Sequence, residues 1–252
     1  MKSRPGVEIA SLTDVGCIRK NNEDSYCYWE PSGDDLFPRL GRLAIIADGM
    51  GGYEGGQIAS SMAVEVVRDA YANSSEPDPE KRLSHAFAEA HRRIQQRAAA
   101  DRALQGMGTT CTALALVNRE LHFGHVGDSR LYLRRQGRLE LLTRDHTLVA
   151  HWVETGALNR QEADTHPQKH VLTAALGVSE QVHPDLSGAP LPLHSGDVLL
   201  LCSDGLWGQL DERQISMALG ASVLDDASRN LVHLAKANGG PDNITLVLLR
   251  VV

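Results

Sequence analysis

The chain has 252 residues, 42% of them hydrophobic and 23% charged, which describes an ordinary globular protein with enough length to bury a substantial core. Its formal net charge of −7 excludes a general nucleic-acid binder, because such a protein needs a basic face to neutralise phosphates. Four cysteines without a C-x-x-C pair fit a reducing compartment better than a disulfide framework, and no run approaches the roughly 20 apolar residues that a bilayer-spanning helix needs.

In chain order, residues 1–10 carry no apolar stretch like a signal peptide, and a cytoplasmic location is expected. Segments 25–29 and 43–47 read as strands on either side of a turn-rich stretch, 30–41. Ile58, Met62 and Val66 share the spacing of one helix face, predicting a helix over 57–72. Pro79-Glu80 opens a second helix with Leu83, Phe87 and Ile94 on one side, which the Ala-rich 97–105 extends. A meander follows, with strands at 109–117, 121–126, 131–134 and 139–142. Short turns between them imply antiparallel pairing.

A polar insert then carries short helices at 147–155 and 160–163, with Gly156 as a stop. It holds His146, His151, His166 and His170, which lack metal-ligand spacing and read as surface or locally bonded residues. Residues 198–202 form a core strand. Asp211 and Asp225 are expected to cap helices 212–219 and 226–238, closed by Gly220 and Gly239, before a final strand at 244–251. The order predicts an α+β fold: an antiparallel β-sandwich flanked by helix pairs in α-β-β-α layers, as one domain spanning 1–252.

Four aspartates sit at strand ends beside small or turn-forming residues: Asp48 in A-D-G-M-G-G, Asp128 in H-V-G-D-S-R, Asp204 in C-S-D-G-L-W and Asp242 in G-G-P-D-N. Brought to one edge of a sheet core, they would repel one another unless cations filled the cluster. Oxygen-only ligands select hard ions, Mg²⁺, Mn²⁺ or Ca²⁺, over zinc. Neither H-E-x-x-H nor an EF-hand loop occurs. Two such ions lower the pKa of a shared water and hold a phosphate oxygen. Arg19, in G-C-I-R-K-N-N-E-D-S, is the candidate phosphate clamp, since a guanidinium matches phosphate bidentately. Glu23 and Asp24 could add carboxylates to the same edge. A cysteine phosphatase is disfavoured, because the sixth residue after Cys202 is Gly208 and not Arg.

Together with G-T-T, L-T-R-D-H and the terminal G-G-P-D-N-I-T, these segments resemble, in order, the bacterial branch of the protein phosphatase 2C family. The resemblance covers the chain from about Ala10 to its end. It implies a metal-dependent serine/threonine phosphoprotein phosphatase in which a metal-activated water attacks phosphorus directly. It further implies that Asp48 bridges two core Mn²⁺ or Mg²⁺ ions, that the Gly49 carbonyl serves one, and that Asp204 and Asp242 serve the other. Glu23 would act through water, Arg19 would hold the phosphate, and Asp128 with Asp204 would bind a third, weaker ion. Some relatives carry an oxygen side chain where His170 stands, and many carry Arg where Ala174 stands. Met50 replaces the His that follows Asp-Gly in animal and plant relatives, which leaves a metal-bound water as an alternative proton donor. Residues 145–177 correspond to a mobile flap. Implied partners are phosphorylated proteins, among them a cognate serine/threonine kinase, with no nucleic acid, no membrane and a monomeric state. A catalytically silent phosphoprotein-binding module and an esterase for small phosphomonoesters remain the alternatives.

Overall fold

The computed structural model describes residues 4–51 and 54–252. Met1–Ser3 and Gly52, the last residue of A-D-G-M-G-G, lie outside the described residues. The strands are β1 Val7–Asp14, β2 Asp24–Trp29, β3 Arg42–Met50, β4 Gly108–Thr109, β5 Cys111–Val117, β6 Glu120–Val126, β7 Arg130–Arg135, β8 Arg138–Leu141, β9 Asp185–Leu186, β10 Leu191–Pro192, β11 Val198–Cys202 and β12 Ile244–Val251. The helices are α1 Phe37–Leu40, α2 Gly55–Asn73, α3 Pro79–Ala100, α4 Leu148–Glu154, α5 Arg160–Thr165, α6 Asp204–Trp207, α7 Glu212–Ala218 and α8 Leu224–Ala237.

One sheet runs β1-β12-β11-β7-β8 and the other β10-β6-β5-β3-β2, with β4 beside β3 and β9 beside β6. The strand pairs of both sheets are antiparallel. Period-2 alternation divides each central strand between two cores. In β3, Ala44 and Ile46 enter the core between the sheets, whereas Leu43, Ile45 and Ala47 pack toward α2 and α3. In β12, Val247 and Leu249 face the other sheet while Leu246 and Leu248 meet α7 and α8. Strands covered on both faces need continuous apolar runs, and β5, β11 and β12 have them. The layers are therefore helix, sheet, sheet, helix, as the residue pattern predicts.

Local chemistry sets the helix ends. Asp78 accepts from the Glu80 and Lys81 amides ahead of Pro79. Asp211 and Gln214 form a capping box at α7. Asp225 does not cap α8: the helix starts at Leu224 after Val223, and Asp225 lies in the first turn, where a carboxylate still meets free amides. The helix α3 ends at Ala100, and 97–105 breaks into a 3₁₀ turn at Arg102–Leu104 because Asp101 turns extended and caps it. The edge strand β1, paired with β12 along its length, is the longest element the apolar pattern did not reveal; the short α1, β9 and β10 were also missed. Only Val7 and Ala10 of β1 are buried, so alternation is faint there.

The insert is tied at both ends. His146 N donates to Gly127 O (2.7 Å), Thr147 bridges to Leu172, and Leu176 bridges to Thr109. Gly156 closes α4 at φ +76°, a conformation in which other residues are strained.

Leu248 is fully buried between sheet and helices. Leu248→Ala should cost about 3 kcal/mol, the usual scale for a core Leu truncation. Urea unfolding should show a lower midpoint at unchanged slope, and an unchanged midpoint would mean that this layer is not a packed core.

Candidate metal centre and phosphate site

The seven residues singled out above reach one cavity of about 540 Å³ at one edge of the sandwich: Arg19, Glu23, Asp48, Gly49, Asp128, Asp204 and Asp242 all line it. They come from the β1–β2 loop, the end of β3, the β6–β7 turn, the start of α6 and the approach to β12. Most lie where a strand's ladder stops, and Asp48 lies where β3 passes from β2 to its short pairing with β4.

The backbone at Asp48 is clamped from three sides. Its amide donates to Thr110 Oγ1 (2.9 Å), and its carbonyl accepts from Thr109 Oγ1 (2.8 Å) and the Thr110 amide (2.9 Å). That gives the G-T-T segment a task that sequence reasoning did not assign. Close approach is built in at two glycines. A Cβ on Gly49 would lie 2.1 Å from Gly56 O, and one on Gly205 would lie 2.0 Å from Asn243 O. Neither position accepts a side chain without moving a ligand loop.

Asn243 is a second residue that sequence reasoning missed. Buried at 5% exposure, it donates from Nδ2 to Val15 O and Asn21 O, and its Oδ1 accepts from Glu23 N (2.8 Å). The loop carrying Arg19 and Glu23 is thereby fastened to the segment carrying Asp242. Asp242 Oδ1 accepts from the Asn243 amide (2.8 Å), and Oδ2 accepts from Arg19 Nη2 (2.7 Å). Arg19 is half exposed at the mouth, and its guanidinium proton is held more tightly, first by the hydrogen bond to Asp242.

Behind Asp48 stands Asp24, its direct cross-strand neighbour. Asp24 Oδ2 accepts from Ser203 Oγ (2.7 Å), which links the two sheets, and Oδ1 has no hydrogen-bond partner. Removal from water, opposed by the hydrogen bonds from Thr245 and Ser203, pushes the Asp24 carboxyl up to about 7. The same cause, reinforced by Asp24, Asp204, Asp128 and Asp242, lifts Asp48 well above the usual range. Burial and then Asp204 and Asp145 lift Asp128 likewise, and burial raises Glu23.

Arg130 could have neutralised Asp128 locally, but it is engaged elsewhere. It forms a two-pronged ion pair with Asp145 (Nε–Oδ1 2.9 Å, Nη2–Oδ2 2.7 Å) and lies 3.6 Å over the Trp207 ring. Trp207 Nε1 in turn donates to Asp128 O (2.9 Å), and its ring packs against the helix-side core and does not line the cleft. The site is thus an overcrowded carboxylate set, and among the described residues Arg19 is the cation paired with one of those carboxylates while Lys169 also lines the cavity. The unpartnered Oδ1 atoms of Asp24 and Asp204 point the same way, and the residues fit hard divalent cations.

The insert histidines divide. His146 is nearly buried, accepting from Gly127 N at Nδ1 and facing Asp185 from Nε2 (3.2 Å), and His166 packs edge-on to Trp152. These two are locally bonded. His170 instead turns into the cavity, with Nδ1 3.3 Å from Asp204 Oδ2.

Charge repulsion among the carboxylates predicts that Asp48→Asn stabilises the metal-free protein. Relief of about 1 kcal/mol corresponds to about 2–4 °C in a chain of this size. Thermal unfolding in chelator should show that rise, and a fall would mean that the carboxylates do not oppose folding.

Comparison with known proteins agrees with this geometry. The model of the family described as Protein phosphatase 2C matches residues 19–236. Protein phosphatase PhpP of Streptococcus pneumoniae is 36% identical over 248 residues, which is 96% of this chain and 97% of that protein. Among solved structures, the serine/threonine phosphatase of S. agalactiae superimposes with a TM-score of 0.88 at 37% identity, over 98% of this chain and 100% of that one. The catalytic domain of the serine/threonine protein phosphatase PstP, solved in complex with two manganese ions, gives 0.84 at 32% identity over 98% and 99%. This chain belongs to the protein phosphatase 2C family, the metal-dependent serine/threonine protein phosphatases.

Proposed function

We propose that the cleft hydrolyses phosphoserine and phosphothreonine in proteins through two core divalent cations, with Mn²⁺ or Mg²⁺ as the physiological ion. The observation that carries the reading is the meeting of Asp48, Asp128, Asp204 and Asp242, from four distant segments, in one cavity with Arg19 at its mouth. Asp48, the Gly49 carbonyl, Asp204 and Asp242 would hold these ions. Bound there, the ions supply a water of lowered pKa and offset the charge of the phosphate.

The chain's own groups do the rest. Thr109 and Thr110 fix the Asp48 backbone, so the carboxylate needs little rearrangement to serve as a ligand. Glu23, leaning over the first turn of α2, accepts hydrogen bonds from water beside Asp48. Arg19 exchanges its contact with Asp242 for the phosphate, to which it donates two parallel hydrogen bonds. Met50 has no proton to give, so the leaving alkoxide takes its proton from water in the cavity. We further read the whole chain as one catalytic domain, with residues 145–177 as a flap beside the cleft.

Among the described residues no helix is long and apolar enough to cross a membrane, and all four cysteines are free. The free thiols support a reducing compartment such as the cytoplasm, and we read the chain as a monomer acting on phosphoproteins that include a cognate serine/threonine kinase.

Phosphate release from phosphothreonine and phosphotyrosine peptides tests the reading. Turnover of phosphothreonine should require Mn²⁺ or Mg²⁺ and vanish in chelator; metal-independent turnover would sink it, and none at all would favour a silent binding module. Asp242→Asn should lower kcat by at least about a hundredfold, since it removes a carboxylate from the charge-stabilising set. Arg19→Lys keeps the charge but not the fork, and kcat/KM should fall about tenfold, or 1.4 kcal/mol. Equal activity in the lysine variant would remove Arg19 from the phosphate.

A further inference from the structure

A second cavity, of about 180 Å³, lies at the end of the sandwich away from the carboxylates. Arg42 at the start of β3, Leu116 near the end of β5, Val251 at the end of β12, Arg119 in the β5–β6 turn, Val7 and Phe37 line it. Asp48 stands six residues after Arg42 on β3, roughly 20 Å at the rise of a strand, and the two cavities share no lining residue.

Two cations meet apolar walls here, and neither is fully used. Arg42 is only 7% exposed. Its Nη2 donates to Arg4 O (3.0 Å) and Pro5 O (2.7 Å), and its guanidinium lies 4.8 Å from the centre of the Phe37 ring. Its Nε is buried with no hydrogen-bond partner. The carboxylate beside it, Glu30, stands 3.6 Å away, beyond hydrogen-bond reach. Both oxygens of Glu30 already accept, from Arg4 N (2.9 Å) and from Tyr28 Oη (3.1 Å). Arg119 donates from Nη2 to Val252 O (2.6 Å) and pairs with no carboxylate among the described residues. It also sits in an unusual backbone position, because Asn118 and Arg119 turn the chain at φ +51° and +65°. Asn-Gly is the favoured pair for such a turn, so Arg119 stands there at a cost in backbone strain.

We propose that this cavity is a second ligand site, for a small monocarboxylate with a short branched apolar body. Arg42 and Arg119 take the carboxylate, and Val7, Leu116 and Val251 receive the body. A buried N–H without a partner costs folding energy, and a ligand oxygen recovers it. The walls decide between anions. Phosphate carries oxygens on every side, and those facing valine and leucine would lose water without gaining a donor. A carboxylate keeps its oxygens at one end, where a guanidinium edge offers parallel N–H groups. The volume equals roughly six waters, room for a body of about four carbons beside the carboxylate. The site needs neither a metal ion nor a residue of the cleft, so it goes beyond the proposed hydrolysis and does not rest on it.

Isovalerate is the probe, added to the full chain in chelator so that no metal ion competes for it. Methyl NMR should show the Leu116 and Val251 signals shifting with a Kd below about 1 mM, while the Leu172 signal in the cleft stands still. Isovaleramide, of the same shape without the charge, should bind at least about tenfold more weakly. Inorganic phosphate should leave both signals in place. Arg119→Gln, in an exposed turn, should raise the Kd for isovalerate about tenfold without disturbing the fold. Arg42→Lys keeps the charge but loses the fork, and should weaken binding to a similar degree. Equal binding of isovaleramide, or phosphate at comparable affinity, would overturn the carboxylate assignment. Shifts confined to Leu172, no shift at about ten times the expected Kd, or a Kd unchanged in both arginine variants would remove the site. None of these readouts involves turnover or bound metal, so a failed phosphatase assay would leave their outcome untouched.

Discussion

Mutual repulsion among carboxylates crowded at one edge of a β-sandwich is the constraint around which this protein is built. Asp24, Asp48, Asp128 and Asp204 share a poorly hydrated space in which each raises the cost of ionising its neighbours. A chain folded without cations would lower that cost by letting the loops drift apart. It is prevented from doing so by bonds that carry no charge. Threonine hydroxyls hold Asp48, a serine hydroxyl holds Asp24, and the Asn243 amide joins two ligand loops. Neutral donors constrain position without satisfying the charge, so the demand for cations is preserved.

The positive groups follow the same logic. Arg130 lies within reach of Asp128 yet is saturated by Asp145, Tyr132 and the face of Trp207. Had it turned to Asp128, the acid would have been neutralised by the protein itself. Arg19 is the exception, and its half-exposed position lets it trade one anion for another. A buried cation in its place would have been a permanent counter-ion.

Much of this was legible in the sequence, for reasons that can be named. Asp48, Asp128 and Asp204 announce themselves because apolar runs end beside them, and Asp242 because it follows Gly-Gly-Pro just before an apolar strand begins. Central strands such as β5 and β11 are readable from length and apolar continuity alone. Asn243 and Thr110 were not, since an Asn or Thr near a strand end has many ordinary uses. Their role depends on partners more than 60 positions away, Val15 and Glu23 for one and Asp48 for the other. The strand β1 was hidden by its edge position, and Asp225 by the one-residue ambiguity of helix starts. His170 escaped because no spacing rule links it to Asp128 or Asp204, and only the path of the insert brings it there.

The two ends of that insert are pinned to neighbouring backbone, at Gly127 and at Thr109, so the loop it makes is already closed at its base. For a loop closed in this way, doubling its length costs only about 0.6 kcal/mol. The tip between the pins is consequently a region where lineages can accept insertions, deletions and new side chains at little thermodynamic expense. The four aspartates beneath belong to other elements and keep their places when they do, although Lys169, His170 and Leu172 of the insert also line the cavity. Tolerance of changes in length and the placement of the carboxylates are thus assigned to separate stretches of one chain.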